Sequence, residues 1–447
     1  MSAPTRVLVI AHGHPDLSAG GGEVAAWNQH RALAASEDFS SVFLARHDDP
    51  SRRHGGTPFS GTNRPDEILF HATMPDWFRF SQPDGALVWR DFRDALDTVR
   101  PDIVHFHHYV HLGLELLREV KNRCPDTPIL MTLHEYFAIC HNHGQMMKRH
   151  DDVPCERATA TDCARCFPER TRQDFALREG FIKSHLDLVD RFIAPSRFLA
   201  RRYVEWGIDA ARIEVIENLL APSPPATGDR PASSQARLRD GEPMRFAFFG
   251  QVNHFKGVEL LLDAAALLPE ALRRRCRFDV HGSGLERQPR ALRERIGARV
   301  DALGAQARLH GAYRPAAINA MMHEADWMIV PSRWWENSPV VILEARRAGL
   351  PVICADIGGM AEKIDAEVTG LHFRANQASS LAARLRKAII GGEPMRRAFA
   401  ERMAASGDPA GDLERHLAVH RERLRNGAID GEMGEAIAGP TSQRQAA

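Results

Sequence analysis

The sequence predicts an α/β protein made of two successive domains, each a parallel sheet with helices on both faces. Three observations carry this. Short apolar runs alternate with amphipathic stretches from Arg6 to about Ile390, the rhythm of strand–helix–strand crossovers. The rhythm stops between Ala221 and Pro243, where APSPPATGDRPASSQARLRDGEP keeps no apolar periodicity, as expected of an interdomain linker. The length, 447 residues, suits two or three domains of roughly 100–200 residues.

The elements follow in order. Arg6–His12 is apolar without alternation and reads as a parallel strand buried on both faces. A Gly-rich loop and a helix from about Glu23 to Ala35 come next. Further strands are expected at Ser41–Arg46, Ile103–His107, Pro128–His134, Arg191–Ser196 and Arg212–Asn218, with helices at His111–Arg123 and Arg197–Trp206 among those between them. A second series opens at Met244–Gly250. Its strands lie near Phe278–Gly282, Ala307–Gly311, Trp327–Ser332, Pro351–Ala355 and Gly370–Arg374. Its helices include Gly257–Leu268, Leu285–Leu303, Pro339–Ala348 and Ser379–Ile390. The expected organisation is a first domain over 1–220, a linker over 221–243 and a second domain over 244–406. A helix at 407–425 would cross back to the first domain, and 426–447 reads as a disordered tail. Ligands of open α/β sheets bind at the C-terminal ends of the strands, so a cleft between the two sheets is expected.

Charge excludes some functions. Lys+Arg and Asp+Glu are 58 each, so the net charge is zero. A dedicated nucleic-acid binder needs a basic field. No apolar run approaches the roughly 18–20 residues of a membrane span, and the first residues lack a signal-peptide pattern. A cytoplasmic protein is expected, with contact to a membrane surface at most.

Four arrays stand out. In Trp334-Trp335-Glu336-Asn337-Ser338-Pro339-Val340, followed by Glu344, Asn337 or Ser338 fits an N-cap and Pro339 the first helical position. That helix start offers free N–H groups to an anion. Carboxylates before it and within it suit a ligand with hydroxyls on either side of a phosphate. In Gly250-Gln251-Val252-Asn253-His254-Phe255-Lys256-Gly257, a lysine on a strand-to-helix loop can reach a phosphate. Gly282-Ser283-Gly284 ends another strand. Gly20-Gly21-Gly22-Glu23 lets backbone N–H groups approach an anion closely, but it matches neither the dinucleotide fingerprint nor the P-loop. Each array also has a plainer reading, as a capped helix with solvated acids or a solvated loop.

Together these arrays resemble glycosyltransferase family 4, retaining enzymes of two Rossmann-like domains (the GT-B type), over nearly all of residues 6–425. The most specific part is Glu336 to Glu344 in ENSPVVILEA. The resemblance implies that His134, Glu336 and Lys256 serve catalysis. Glu336 would touch donor hexose hydroxyls, Glu344 the ribose hydroxyls, and Lys256 the diphosphate. Gly21, Gly22, Gln251, Gly282, Ser283, Ser338, Pro339 and Val340 would line the donor site. The first domain would take the acceptor and the second the donor. Gln251 stands where the family usually has Arg, and it cannot grip phosphate as a bidentate cation. The implied function is transfer of a hexosyl group from a nucleotide-sugar to a saccharide or lipid-linked acceptor. It would proceed with retention and without a catalytic metal, in cell-surface or exopolysaccharide synthesis. The alternatives are a non-catalytic nucleotide-sugar-binding module, motivated by Gln251, or an epimerase of the same fold.

Cys140, Cys155, Cys163 and Cys166 cluster in a polar stretch beside His141, His143 and His150. Four thiolates including a Cys-x-x-Cys can close a structural zinc site. Two disulfides, free thiols and an iron–sulfur cluster stay open. Arg165, Arg170, Arg172 and Arg178 follow and read as a solvated, arginine-rich helix start.

Overall fold

The computed structural model describes residues 3–18, 20–52, 54–83, 85–151, 153–220, 242–406 and 412–422. Residues 221–241 of the expected linker (221–243), and residues 423–447 with the expected tail (426–447), lie outside these residues. The chain divides into two compact units, Met1–Leu219 with Asp412–Ala447, and Leu220–Gly411.

The first unit runs β1 (Thr5–Ala11), α1 (Gly21–Ala34), β2 (Phe39–His47), β3 (Phe59–Gly61), β4 (Glu67–His71), α2 (Ala86–Val99), β5 (Ile103–Phe106) and α3 (Glu115–Arg123). It continues with β6 (Ile129–Thr132), α4 (Ala160–Cys166), α5 (Arg172–Leu186), β7 (Arg191–Ala194), α6 (Arg197–Trp206) and β8 (Ile213–Val215). The sheet order is β3-β4-β2-β1-β5-β6-β7-β8. All pairs are parallel except β3 with β4. Strands β5, β6 and β7 are buried at every residue, as apolar runs covered on both faces must be.

The second unit runs β9 (Met244–Phe249), α7 (Val258–Ala266), α8 (Glu270–Arg273), β10 (Cys276–His281), α9 (Arg290–Leu303), β11 (Ala307–Gly311), α10 (Ile318–His323) and β12 (Trp327–Val330). Then come α11 (Val340–Ala348), β13 (Val352–Ala355), α12 (Gly358–Ala361), β14 (Gly370–Phe373) and α13 (Ala378–Ala405). Its sheet is wholly parallel in the order β11-β10-β9-β12-β13-β14. Trp327 and Phe246 are fully buried at its centre, each worth roughly 1.5–3 kcal/mol of transfer free energy.

In both units the chain fills one half of the sheet, returns to the centre and fills the other half. The reversal falls between β1 and β5 in the first unit, and between β9 and β12 in the second. Loops leaving the C-terminal ends of these strand pairs are where such sheets hold ligands.

Helix α14 (Leu413–Arg421) belongs to the first unit. Leu417 and Val419 join the core of Val7, Val9, Phe39 and Phe43. His416 Nε2 bonds Glu217 O at 2.7 Å, and Arg421 pairs with Asp38 at 2.8 Å.

Several sequence expectations need correction. The helix expected over Leu285–Leu303 is two pieces, a 3₁₀ turn at Leu285–Arg287 and then α9, because Pro289 cannot continue a helix. The helix expected from His111 starts at Glu115, since His111 and Gly113 have φ of 66° and 92°. The α13 stretch bends at Gly392, with φ 56° and ψ −152°. Arg178 is buried rather than solvated, and donates to Phe78 O, Ala138 O and Phe137 O at 2.7, 2.8 and 2.6 Å.

Candidate active site

In the second unit the loops after β9 and β12 lie side by side, because those strands pair at the centre of the sheet. Arg333 N donates to Phe255 O at 2.8 Å. Gly257 has φ 73°, and a Cβ there would meet Pro331 O at 2.0 Å, so only glycine allows the loops this close. The approach sets Lys256 against the 331–336 segment. Its Nζ lies 2.6 Å from Glu336 Oε1.

Glu336 is buried, at 5% exposure, and its Oε1 is held three times. Ser332 Oγ and Trp334 Nε1 each donate to it at 2.8 Å, in addition to Lys256. Its carbonyl accepts from Gly359 N at 2.6 Å. A Cβ on Gly358 would sit 2.7 Å from the same carbonyl, which explains the glycine pair after β13. A buried carboxylate needs such compensation. Ser332 and Trp334 are site residues that sequence reasoning missed; their signal was the Trp pair directly before Glu336.

Helix α11 starts one residue later than expected. Pro339 is its N-cap, with φ −62° and ψ 115°, and no side chain caps it. Asn337 and Ser338 precede the cap, and the proline side chain has no acceptor to offer the first N–H groups of the helix. Val340 opens the helix, and Glu344 follows on it, half-buried. Burial pushes the Glu344 carboxyl up to about 7, opposed by Arg347. Gly282 and Ser283 follow β10, and Val252 N bonds Ser283 O at 2.8 Å, so this turn flanks the lysine loop. Gln251 is exposed on that loop.

In the first unit Gly21 and Gly22 open α1. A Cβ on Gly22 would stand 3.4 Å from His12 Cε1 and 3.7 Å from His134 Cγ. The structure thus brings the glycine-rich turn and His134 together at the central strands. His134 contacts His107, with 3.1 Å between its Nε2 and His107 Nδ1. Burial, with His12 beside it, lowers its pKa to about 3, so the ring is neutral at physiological pH. Glu23 and Glu135 complete the surroundings. Glu23 Oε1 lies 3.3 Å from His12 Nε2, and Glu135 Oε1 lies 3.1 Å from His108 Nε2. Burial raises Glu23, but His12, its own helix start and Ser18 outweigh it and hold the carboxyl below its ordinary value. His12, His107, His108 and Glu135 were not singled out in the sequence, and Glu23 only as the end of the glycine array, although the run His105-Phe106-His107-His108 marks the place.

The four clustered cysteines are free thiols. Burial pushes Cys140 up to about 11 and Cys163 up to about 12. Among the described residues no group of three or more His, Cys, Asp or Glu side chains is placed to hold a metal ion. The zinc expectation therefore has no assembled ligand set behind it among the described residues.

Comparison with known proteins accords with this architecture. The profile described as Glycosyltransferase Family 4 matches residues 19–222, and that described as Glycosyl transferases group 1 matches residues 229–405. The D-inositol 3-phosphate glycosyltransferase of Nocardia farcinica is 32% identical over 283 residues, covering 60% of this chain and 60% of that protein. The enzyme of the same name from Salinispora arenicola is 34% identical over 198 residues, covering 41% and 40%. The match thus spans about three fifths or less of these curated relatives. Among solved structures, Anabaena Alr3699/HepE in complex with UDP has a TM-score of 0.64 at 16% identity, over 94% of this chain and 99% of that one. Sucrose-phosphate synthase from Thermosynechococcus elongatus has a TM-score of 0.66 at 18% identity, over 94% and 98%. These two likenesses establish the fold, two Rossmann-like domains. With one profile over each half, the chain belongs to the GT-B type glycosyltransferases, related to family 4 and group 1.

Proposed function

We propose that the protein transfers a hexosyl group from a nucleotide-sugar donor to a saccharide acceptor. The observation that carries this is the meeting of Lys256 and Glu336 at the strand reversal of the second unit, directly before the start of α11. A departing nucleoside diphosphate needs its developing negative charge stabilised. Lys256 and the first N–H groups of α11 supply positive potential for it. Glu336 is positioned to accept from sugar hydroxyls. Glu344, with its carboxyl near neutrality, suits the ribose hydroxyls, which both donate and accept. His134 enters the proposal on the family resemblance, as a neutral imidazole of the first unit that serves the transfer.

The likeness to HepE, solved with UDP-glucose in a further complex, supports a nucleoside-diphosphate donor. A relative named for inositol phosphate supports a hydroxyl-rich acceptor. We extend the reading to retention of configuration and to lipid-linked acceptors of surface glycan synthesis, on the family resemblance. No helix among the described residues is long and apolar enough to cross a membrane. A cytoplasmic place of action accords with seven free thiols.

The test is a panel of UDP-, GDP- and ADP-sugars scored by unfolding temperature. One donor should raise it well beyond the others, since a ligand stabilises only the state it binds. No response to any of them would sink the reading. Exposed, uncharged Gln251 keeps a sensing module in view; strong binding with no turnover across acceptors would favour it.

A further inference from the structure

We infer that Trp334 is a positioning residue that turns Glu336 toward the sugar of the donor. This rests on the proposed nucleotide-sugar reading and adds how the site tells the sugar from the diphosphate. The geometry is one-sided. Three donors, Lys256 Nζ, Ser332 Oγ and Trp334 Nε1, converge on Oε1 at 2.6, 2.8 and 2.8 Å. No hydrogen bond among the described residues goes to Oε2. A carboxylate accepts through about four lone-pair directions, so an oxygen saturated by the protein leaves its twin for a ligand. The free oxygen accepts, which selects a ligand group with an O–H to give. A hexose hydroxyl qualifies and a phosphate oxygen does not.

Trp334 differs from the other two donors. Lys256 is a flexible point charge shared with an anionic ligand, and its Nζ also stands 5.8 Å from the centre of the Trp334 ring. Ser332 is fully buried, at 1% exposure, two residues beyond β12. The indole is rigid, has one donor, and lies two residues before the carboxylate in a turn closed by Glu336 N bonding Trp334 O at 2.9 Å. It therefore fixes the rotation of the carboxyl when Lys256 swings to a diphosphate. Loss of the indole N–H should let the carboxyl turn, and the sugar should lose its acceptor while the diphosphate keeps its cation.

The experiment is calorimetric titration of wild type, Trp334→Phe and Ser332→Ala. The ligands are the nucleotide-sugar that wild type binds and the matching nucleoside diphosphate. Trp334→Phe should weaken the nucleotide-sugar about tenfold and leave the nucleoside diphosphate within about twofold. Ser332→Ala should show the same selectivity at smaller size, which covers a poorly folded Trp334 variant. Equal weakening of both ligands, or of neither, in both variants overturns the inference alone. If wild type binds the nucleoside diphosphate but gains nothing from the sugar, the nucleotide-sugar reading falls first and this inference with it.

Discussion

Lys256 Nζ and Glu336 Oε1 are 2.6 Å apart across the two central loops of the second unit. The cation assigned to the diphosphate is thus already partnered by the carboxylate assigned to the sugar. The two carboxylate roles and the charge on the lysine are coupled, and single substitutions should not act alike.

Lys256→Met should weaken nucleoside diphosphate binding roughly tenfold to a hundredfold, the worth of a charge-assisted hydrogen bond. Glu336→Gln should act the other way on that ligand, leaving its affinity unchanged or higher because the lysine loses a competitor, while the nucleotide-sugar binds more weakly. Titration calorimetry separates the two. Parallel losses of both ligands in both variants would contradict the assignment.

Glu344 couples the site to pH. Its folded pKa, about 7, lies above the ordinary 4.5. The folded chain then holds the proton more tightly than the unfolded chain. The resulting stability is fully present below about 4.5 and lost as pH rises to about 7. Glu344→Gln should stabilise the second unit at pH 8, by at most about 3 kcal/mol, and give no gain at pH 4.5. Chemical denaturation at the two pH values measures this; an equal effect at both would refute it.

The first unit carries the opposite sign. His420 Nδ1 donates to His416 O at 2.7 Å, so in the neutral ring Nε2 accepts from His105 Nδ1 at 3.1 Å. Burial lowers His420 from 6.5 to about 4, with His416 beside it. Stability from this group is present above 6.5 and lost as pH falls through about 4. His420→Leu should be less stable at pH 7, where His105 loses its acceptor. Its further loss between pH 6.5 and 4 should be shallower than that of wild type in the same denaturation series.

Helix α14 contributes core to the first unit through Leu417, 5% exposed. Leu417→Ala should cost about 2–4 kcal/mol in the unfolding transition of that unit and leave the transition of the second unit unmoved. A loss confined to the second unit would refute this assignment of the helix.

Much of this was legible because buried parallel strands announce themselves. Val352–Ala355 and Trp327–Val330 are unbroken apolar runs, and Glu336, Glu344 and Lys256 stand at fixed distances from them. β4 was not legible. It opens with Glu67, a charged residue that is 3% exposed. Its side chain is accommodated by Trp27, Thr62, His14 and Arg64, at 3.0, 2.7, 3.0 and 2.9 Å. Trp27 and His14 come from distant segments, Thr62 and Arg64 from the loop just before β4, and together they overcome the burial penalty, drawing its pKa down to about 2. No local pattern encodes such a set. The same holds for the histidines around His134, which neighbouring strands bring together, and for Trp334, whose part depends on an atom two residues away. The cysteine cluster is legible as a neighbourhood, since Cys163 feels Cys140, Cys155 and Cys166, but spacing alone does not set the ligand geometry, and among the described residues no three such side chains are placed to share a metal ion.

The central claim is that Lys256 and Glu336 act on a nucleotide-sugar. Its most direct test is the rate of nucleoside diphosphate release from the bound donor in the presence of saccharide acceptors. The rate is compared among wild type, Lys256→Ala and Glu336→Ala. The account predicts turnover in wild type and a fall of about a hundredfold or more in each variant. Turnover unchanged in both variants would contradict it.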